Sequence, residues 1–181
     1  MGVDPALRKI GLCVLVNGEP VVRRLIQTHR DDRGPQRLAH IRDALQLALE
    51  PYRDLIDGAA VEAQALGALG DIDQLGQVNG VIQVLLADLG VTPISVPPAS
   101  LKKFVANNPQ AEKSLMMRMA KVTWDVDFVQ DDLCDAYGLA RFAEECVEQK
   151  STKRYQIEAV FSVLRKKKRK PPIKRVLPNT I

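Results

Sequence analysis

The sequence predicts an α/β fold built on a mixed sheet, and three observations carry that expectation. Two β-branched or apolar runs, "IGLCVLV" at 10–16 and "PVVRRLI" at 20–26, are joined by Asn17-Gly18, the strongest short hairpin signal a sequence offers. A buried strand, a helix and a second strand follow one another between residues 56 and 96, the pattern of a parallel βαβ unit. The remaining apolar residues recur at helical spacing. With 181 residues, 46% of them hydrophobic, the chain is long enough for a substantial core. The expected organisation is a domain over residues 1–150 and a basic extension over 151–181, with no internal repeat.

Taken in order, Met1 to Asp4 reads as the start of a first strand that kinks at Pro5 and resumes near Ile10. From Pro35, the series Leu38, Ile41, Leu45 and Leu49 marks a helix that stops near Pro51. In "LIDGAAVEAQ", Ile56, Ala59, Ala60 and Val61 form a short buried strand ending in Glu62. "QLGQVNGVIQVLLADL" at 74–89 is a helix closed by Gly90, apolar on more than one side: either a dimer contact or an internal core helix. "TPISV" at 92–96 is the next strand. Pro97 and Pro98 open a short helix through Phe104, and a further helix is expected over 109–122. A long last helix runs from near Asp131 to Glu148. Beyond Gln149, Ile157, Val160, Phe161 and Leu164 keep helical spacing up to the run "RKKKRKPP".

No run of roughly 18 apolar residues occurs, and no basic stretch followed by an apolar one opens the sequence; a soluble, cytoplasmic protein without a membrane span is expected. Cys13, Cys134 and Cys146 lack zinc-ligand spacing and read as small buried apolar residues. The net charge of +4 conceals an asymmetry. Residues 151–181 carry ten Lys or Arg against Glu158, a balance of +9, which leaves −5 on the other 150 residues. An acidic body with a basic tail suits a nucleic-acid binder whose carboxylates hold divalent metal, although solvated surface acids give the same total.

The stretch "FVQDDLCDAYGLARF" crowds Asp131, Asp132 and Asp135 at the start of the last helix. Asp132 and Asp135, three apart, share a helix face; Asp131, four before Asp135, is able to share it too, and spacing favours Asp132. Asp4 follows a strand and Glu62 ends one, so four acids from distant parts of the chain are able to meet at one sheet edge. Crowded carboxylates raise each other's pKa, and a hard divalent cation with oxygen ligands keeps them ionised; magnesium is the natural candidate, in a two-ion arrangement able to hydrolyse a phosphodiester. Asp131 or Asp132 has an ordinary alternative as a helix cap. Asp135, set among Leu133, Cys134, Ala136, Leu139 and Ala140, and Glu62, at the end of "GAAVE", have fewer structural reasons to be acids.

These residues resemble a known family, the RuvC Holliday junction resolvases. Gly2, Asp4, Pro5 and Gly11 of "GVDPALRKIG" are similar to its first-strand motif, "VEAQ" to its glutamate strand, "LGQVNGV" at 75–81 to its Leu-Gly-Gln helix, and "DLCDA" at 132–136 to its Asp-x-x-Asp-Ala signature. Lys102 and Lys113 in "SLKKFVANNPQAEKS" fall at the spacing of its two active-site lysines. The resemblance spans residues 2 to about 146.

It implies a ribonuclease H-like fold, a homodimer, and magnesium-dependent paired incision of a four-way DNA junction. By the same resemblance Asp4, Glu62, Asp132 and Asp135 hold two magnesium ions, for which manganese substitutes. Lys102 and Lys113 meet the scissile phosphate, a role that suits ammonium groups; solvated surface is their ordinary alternative. Lys103, Arg165, Lys166, Lys167 and Lys168 join Lys102 and Lys113 as expected DNA contacts, with disordered solubility segment or nuclear-localisation look-alike as the alternatives for "RKKKRK". The chain departs from the family pattern at Ala6, where a glycine is usual, and at Ala65, where many members carry an aromatic that stacks on bases; Leu66 is a smaller apolar wedge. The rival readings are a nuclease for flaps or other branched DNA on the same fold, and a non-catalytic junction-binding protein.

Overall fold

The computed structural model describes residues 1–63 and 72–168, with the side chains of 166–168 excepted. Five strands form one sheet in the order β3-β2-β1-β4-β5: β1 (Gly2–Asp4), β2 (Lys9–Val16), β3 (Glu19–Gln27), β4 (Ala60–Glu62) and β5 (Ile94–Val96). The first three are antiparallel, whereas β4 runs parallel to β1 and β5 parallel to β4. The hairpin turns at Asn17 and Gly18, whose φ values of 52° and 82° are the positive pair a type I′ turn needs, with Val16 opposite Glu19.

Around the sheet lie α1 (Gly34–Leu49), α2 (Ile72–Asp88), α3 (Pro98–Ala106), α4 (Lys113–Trp124), α5 (Asp131–Glu148) and α6 (Arg154–Lys168). Alternation along the strands divides the side chains between two faces. Val3, Ile10, Leu12, Val14 and Val61 enter a core with Ile41, Leu45 and Leu49 of α1 and Val78, Ile82 and Leu86 of α2. The opposite face carries Gly2, Asp4, Gly11, Ala60 and Glu62; there α5 crosses β1 and β2, and α3 and α6 pack outside it. The ribonuclease H-like expectation holds: a mixed five-stranded sheet between helical layers.

Two local expectations are corrected. Residues 1–16 are not one kinked strand. The chain reverses after Asp4, so that Asp4 pairs with Gly11 and Gly2 with Cys13. Pro5 has no N–H with which to continue the ladder. The helix expected over 109–122 begins at Lys113 instead. Asn107 closes α3 in the left-handed region at φ 53°, and the Asn108 side chain accepts a hydrogen bond from the Gln110 N–H at 3.0 Å, a local turn that competes with helix.

Helix α2 faces the core through Val78, Ile82, Leu85 and Leu86 while Val84 on its other side is 64% exposed, so it is a core helix that also presents an apolar surface. Helix α6 buries Ala159, Val160 and Val163 against α3, and its Gln156 donates to the Phe104 carbonyl; this part of the extension shares the core of the body. None of the described helices is long and apolar enough to cross a membrane.

Candidate active site

Parallel pairing sets Gly2 beside Ala60 and Val3 beside Val61, so Asp4 and Glu62, one step further along adjacent strands, project side by side from the same face. Helix α5 supplies the third and fourth acids because it lies unusually close to the sheet. A Cβ on Gly2 would overlap the backbone of Ala136 and Ala140, and one on Gly11 would overlap the Asp132 carbonyl. The two glycines thus clear the track along which the first turns of α5 bring Asp132 and Asp135 over Asp4.

All four carboxylates are partly buried. Burial, then the Glu62 charge, pushes Asp4 up to about 7; Asp132 adds to the repulsion. Burial, then Asp4, raises Asp135 to about 6. Glu62 is raised by burial and by Asp135, and pulled back by its hydrogen bond with Asp4. Lys102 from α3 and Lys113 from α4 act in the other direction on Glu62 and Asp135.

Among the described residues no group of three or more His, Cys, Asp or Glu has closed into ligand geometry. Strand register sets Asp4 beside Glu62 and opposite Gly11, which lies against the Asp132 backbone at the start of α5, and an all-oxygen donor set with excess negative charge suits a hard divalent cation.

Of the other expected residues, Lys102 and Lys113 come to the acids, whereas Lys103 turns to Glu158 of α6 at 2.9 Å. Arg165 is exposed on α6, and Lys166, Lys167 and Lys168 form its last residues. Ala65, Leu66 and the sequence past Lys168 lie outside the described residues. The capping role considered for Asp131 or Asp132 is not found: Gln130 is the cap residue of α5 and makes no side-chain cap bond. Asp132 is the one that bears on Asp4 and Asp135, and Asp131 instead pairs with Lys113. That pairing had no signal in the sequence, because it depends on two helix ends meeting across 18 positions.

The sheet order, with acids at the ends of β1 and β4 and at the start of α5, defines a ribonuclease H-like protein with an acidic centre. A family model described as crossover junction endodeoxyribonuclease RuvC matches residues 1–142. The Brevibacillus brevis protein of that name is 32% identical over 148 residues, covering 77% of this chain and 87% of the relative. The Paracoccus denitrificans one is 29% identical over 147 residues, with the same coverage. The solved Thermus thermophilus RuvC structure superposes with a TM-score of 0.66 at 21% identity, covering 77% of this chain and 89% of the other. The same protein in complex with Holliday junction substrate gives 0.66 at 20% identity, over 77% and 88%. The chain belongs to the RuvC family of crossover junction endodeoxyribonucleases.

Proposed function

We propose that this protein resolves four-way DNA junctions as a homodimer in the cytoplasm, each subunit cutting one strand by phosphodiester hydrolysis at the Asp4, Glu62, Asp132 and Asp135 centre. The observation that carries the reading is the convergence of these acids, strong enough to push Asp4 up to about 7, in a chain of this family. Asp4, Glu62, Asp132 and Asp135 would hold two magnesium ions, or manganese in their place, and the bound cations would supply positive charge for activating a water and for stabilising the departing oxygen. The protein's own contribution is positional. Asp4 and Glu62 are fixed by strand register, Asp132 and Asp135 by the close seating of α5. Lys102 and Lys113 meet the negative charge that grows on the phosphate in the transition state. Arg165 and the following lysines add affinity without reading sequence, and that affinity falls with salt.

The test compares incision of four-way junctions, flaps and linear duplex by the full chain in magnesium. Junctions are expected to be cut fastest, in paired fashion, and Glu62→Gln to lower kcat by at least about 100-fold. Faster cutting of flaps would select the branched-DNA alternative. Undiminished cutting by Glu62→Gln would remove the site assignment.

A further inference from the structure

Lys113 is the first residue of α4 and Asp131 the first of α5, and their side chains form an ion pair between the two helix ends. The position of the lysine favours such a partner. It stands at the positive end of a helix whose first turn contains no acid, where an ammonium is unfavourably placed, while Asp131 sits favourably at the start of its own helix. The Lys113 side chain is 69% exposed on a flexible four-carbon stem, so packing does not aim it; Asp131, at 34%, is the more firmly seated of the two. Asp131 directly precedes Asp132 and lies one turn before Asp135, so the pair seats the Lys113 ammonium at the end of α5 that carries both acids; its charge also lowers Asp4, Glu62 and Asp135.

We propose that Asp131 is a positioning residue, holding the Lys113 ammonium over the entrance to the acidic centre where the phosphodiester arrives. The inference rests on the nuclease reading of that centre. The pair is exposed, so it costs little to loosen when a phosphate offers Lys113 a second partner. What Asp131 provides is orientation before that encounter, removing freedom the side chain would otherwise lose during the reaction.

The test is steady-state and single-turnover cleavage of a four-way junction in magnesium by wild type, Asp131→Asn, Asp131→Glu, Lys113→Ala and the Lys113→Ala/Asp131→Asn double variant. Asp131→Asn is expected to lower kcat about tenfold. KM should not rise, since the change takes a negative charge out of the path of a polyanion. Asp131→Glu should recover most of the loss, and in the Lys113→Ala background Asp131→Asn should add nothing. An unchanged or increased kcat for Asp131→Asn overturns the proposal, as does an equal drop with Lys113 absent. A wild type that leaves junctions intact is a different failure: it removes the nuclease reading itself and the positioning role with it.

Discussion

Asp4 is the residue at which the opposing demands of this site are plainest. Its carboxyl, ordinarily near 3.8, is pushed up to about 7 by burial and by Glu62, and Asp135 rises to about 6 by burial and by Asp4. A carboxyl that holds its proton more tightly folded than unfolded supports the fold fully below its unfolded pKa. That support is lost as pH rises through the folded value, here between about 4 and 7. In chelator, Asp4→Asn should therefore raise Tm relative to wild type by an amount that grows from pH 5 to pH 8, reaching about 5 °C. Millimolar magnesium should close the gap by stabilising wild type more than the variant. Scanning calorimetry at the two pH values with and without magnesium checks this; a difference that shrinks with rising pH would mean that Asp4 is not held among like charges. The same substitution should abolish cleavage, separating stability from activity in opposite directions.

Helix α5 sets the geometry of the centre, and its seat on the sheet is made by what β1 and β2 lack. The family motif drew attention to Gly2 and Gly11 as matches; the structure shows that any side chain there would strike the backbone of α5 at Ala136, Ala140 or Asp132. Gly11→Val should cost about 3 kcal/mol or more, at the upper end for overpacking, because the obstruction is backbone and cannot rotate away. Chemical denaturation reads the loss, and junction cleavage should fall further than the fraction folded, since Asp132 and Asp135 would be lifted away from Asp4. A further anchor of α5 is Tyr137, fully buried in a cluster with Cys13 of β2 and against Trp124 and Phe128, whose hydroxyl accepts a hydrogen bond from Arg141 Nε at 2.7 Å. With Gly138 packed against Leu101 and Val105 of α3, the helix is held from the sheet and from α3, which suits an element that must place two carboxylates.

For the whole molecule, the proposed paired incision calls for two centres, and α2 is one of the described elements with apolar surface to offer a second copy. Its inner face is committed to the core, while Val84 is 64% exposed and Leu47 of neighbouring α1 is 73% exposed, beside a groove that Gln46, Val81, Leu85 and Leu89 help to line. Val84→Glu should leave the fold intact and weaken dimerisation by about tenfold or more if this surface is the contact. Analytical ultracentrifugation reports the association, and the junction products should shift from paired incisions towards single nicks. Retained dimers with unchanged paired cutting would move the interface elsewhere.

Most of the element order was legible in residue spacing: the Asn17-Gly18 hairpin, the buried strand ending at Glu62, the parallel unit through 96 and the helix from 131 to 148 are all local patterns of periodicity and turn chemistry. The four acids were also legible as candidates, because a carboxylate at the end of an apolar strand or inside an apolar helix stands out against its neighbours. Folding alone decided which side of the sheet they share, how near α5 comes, and that Lys113 meets Asp131. The division has one physical reason. Helix and strand periods are written in consecutive residues, whereas contacts between β1, β4, α4 and α5 depend on strand register and on interhelical packing, which no single segment encodes.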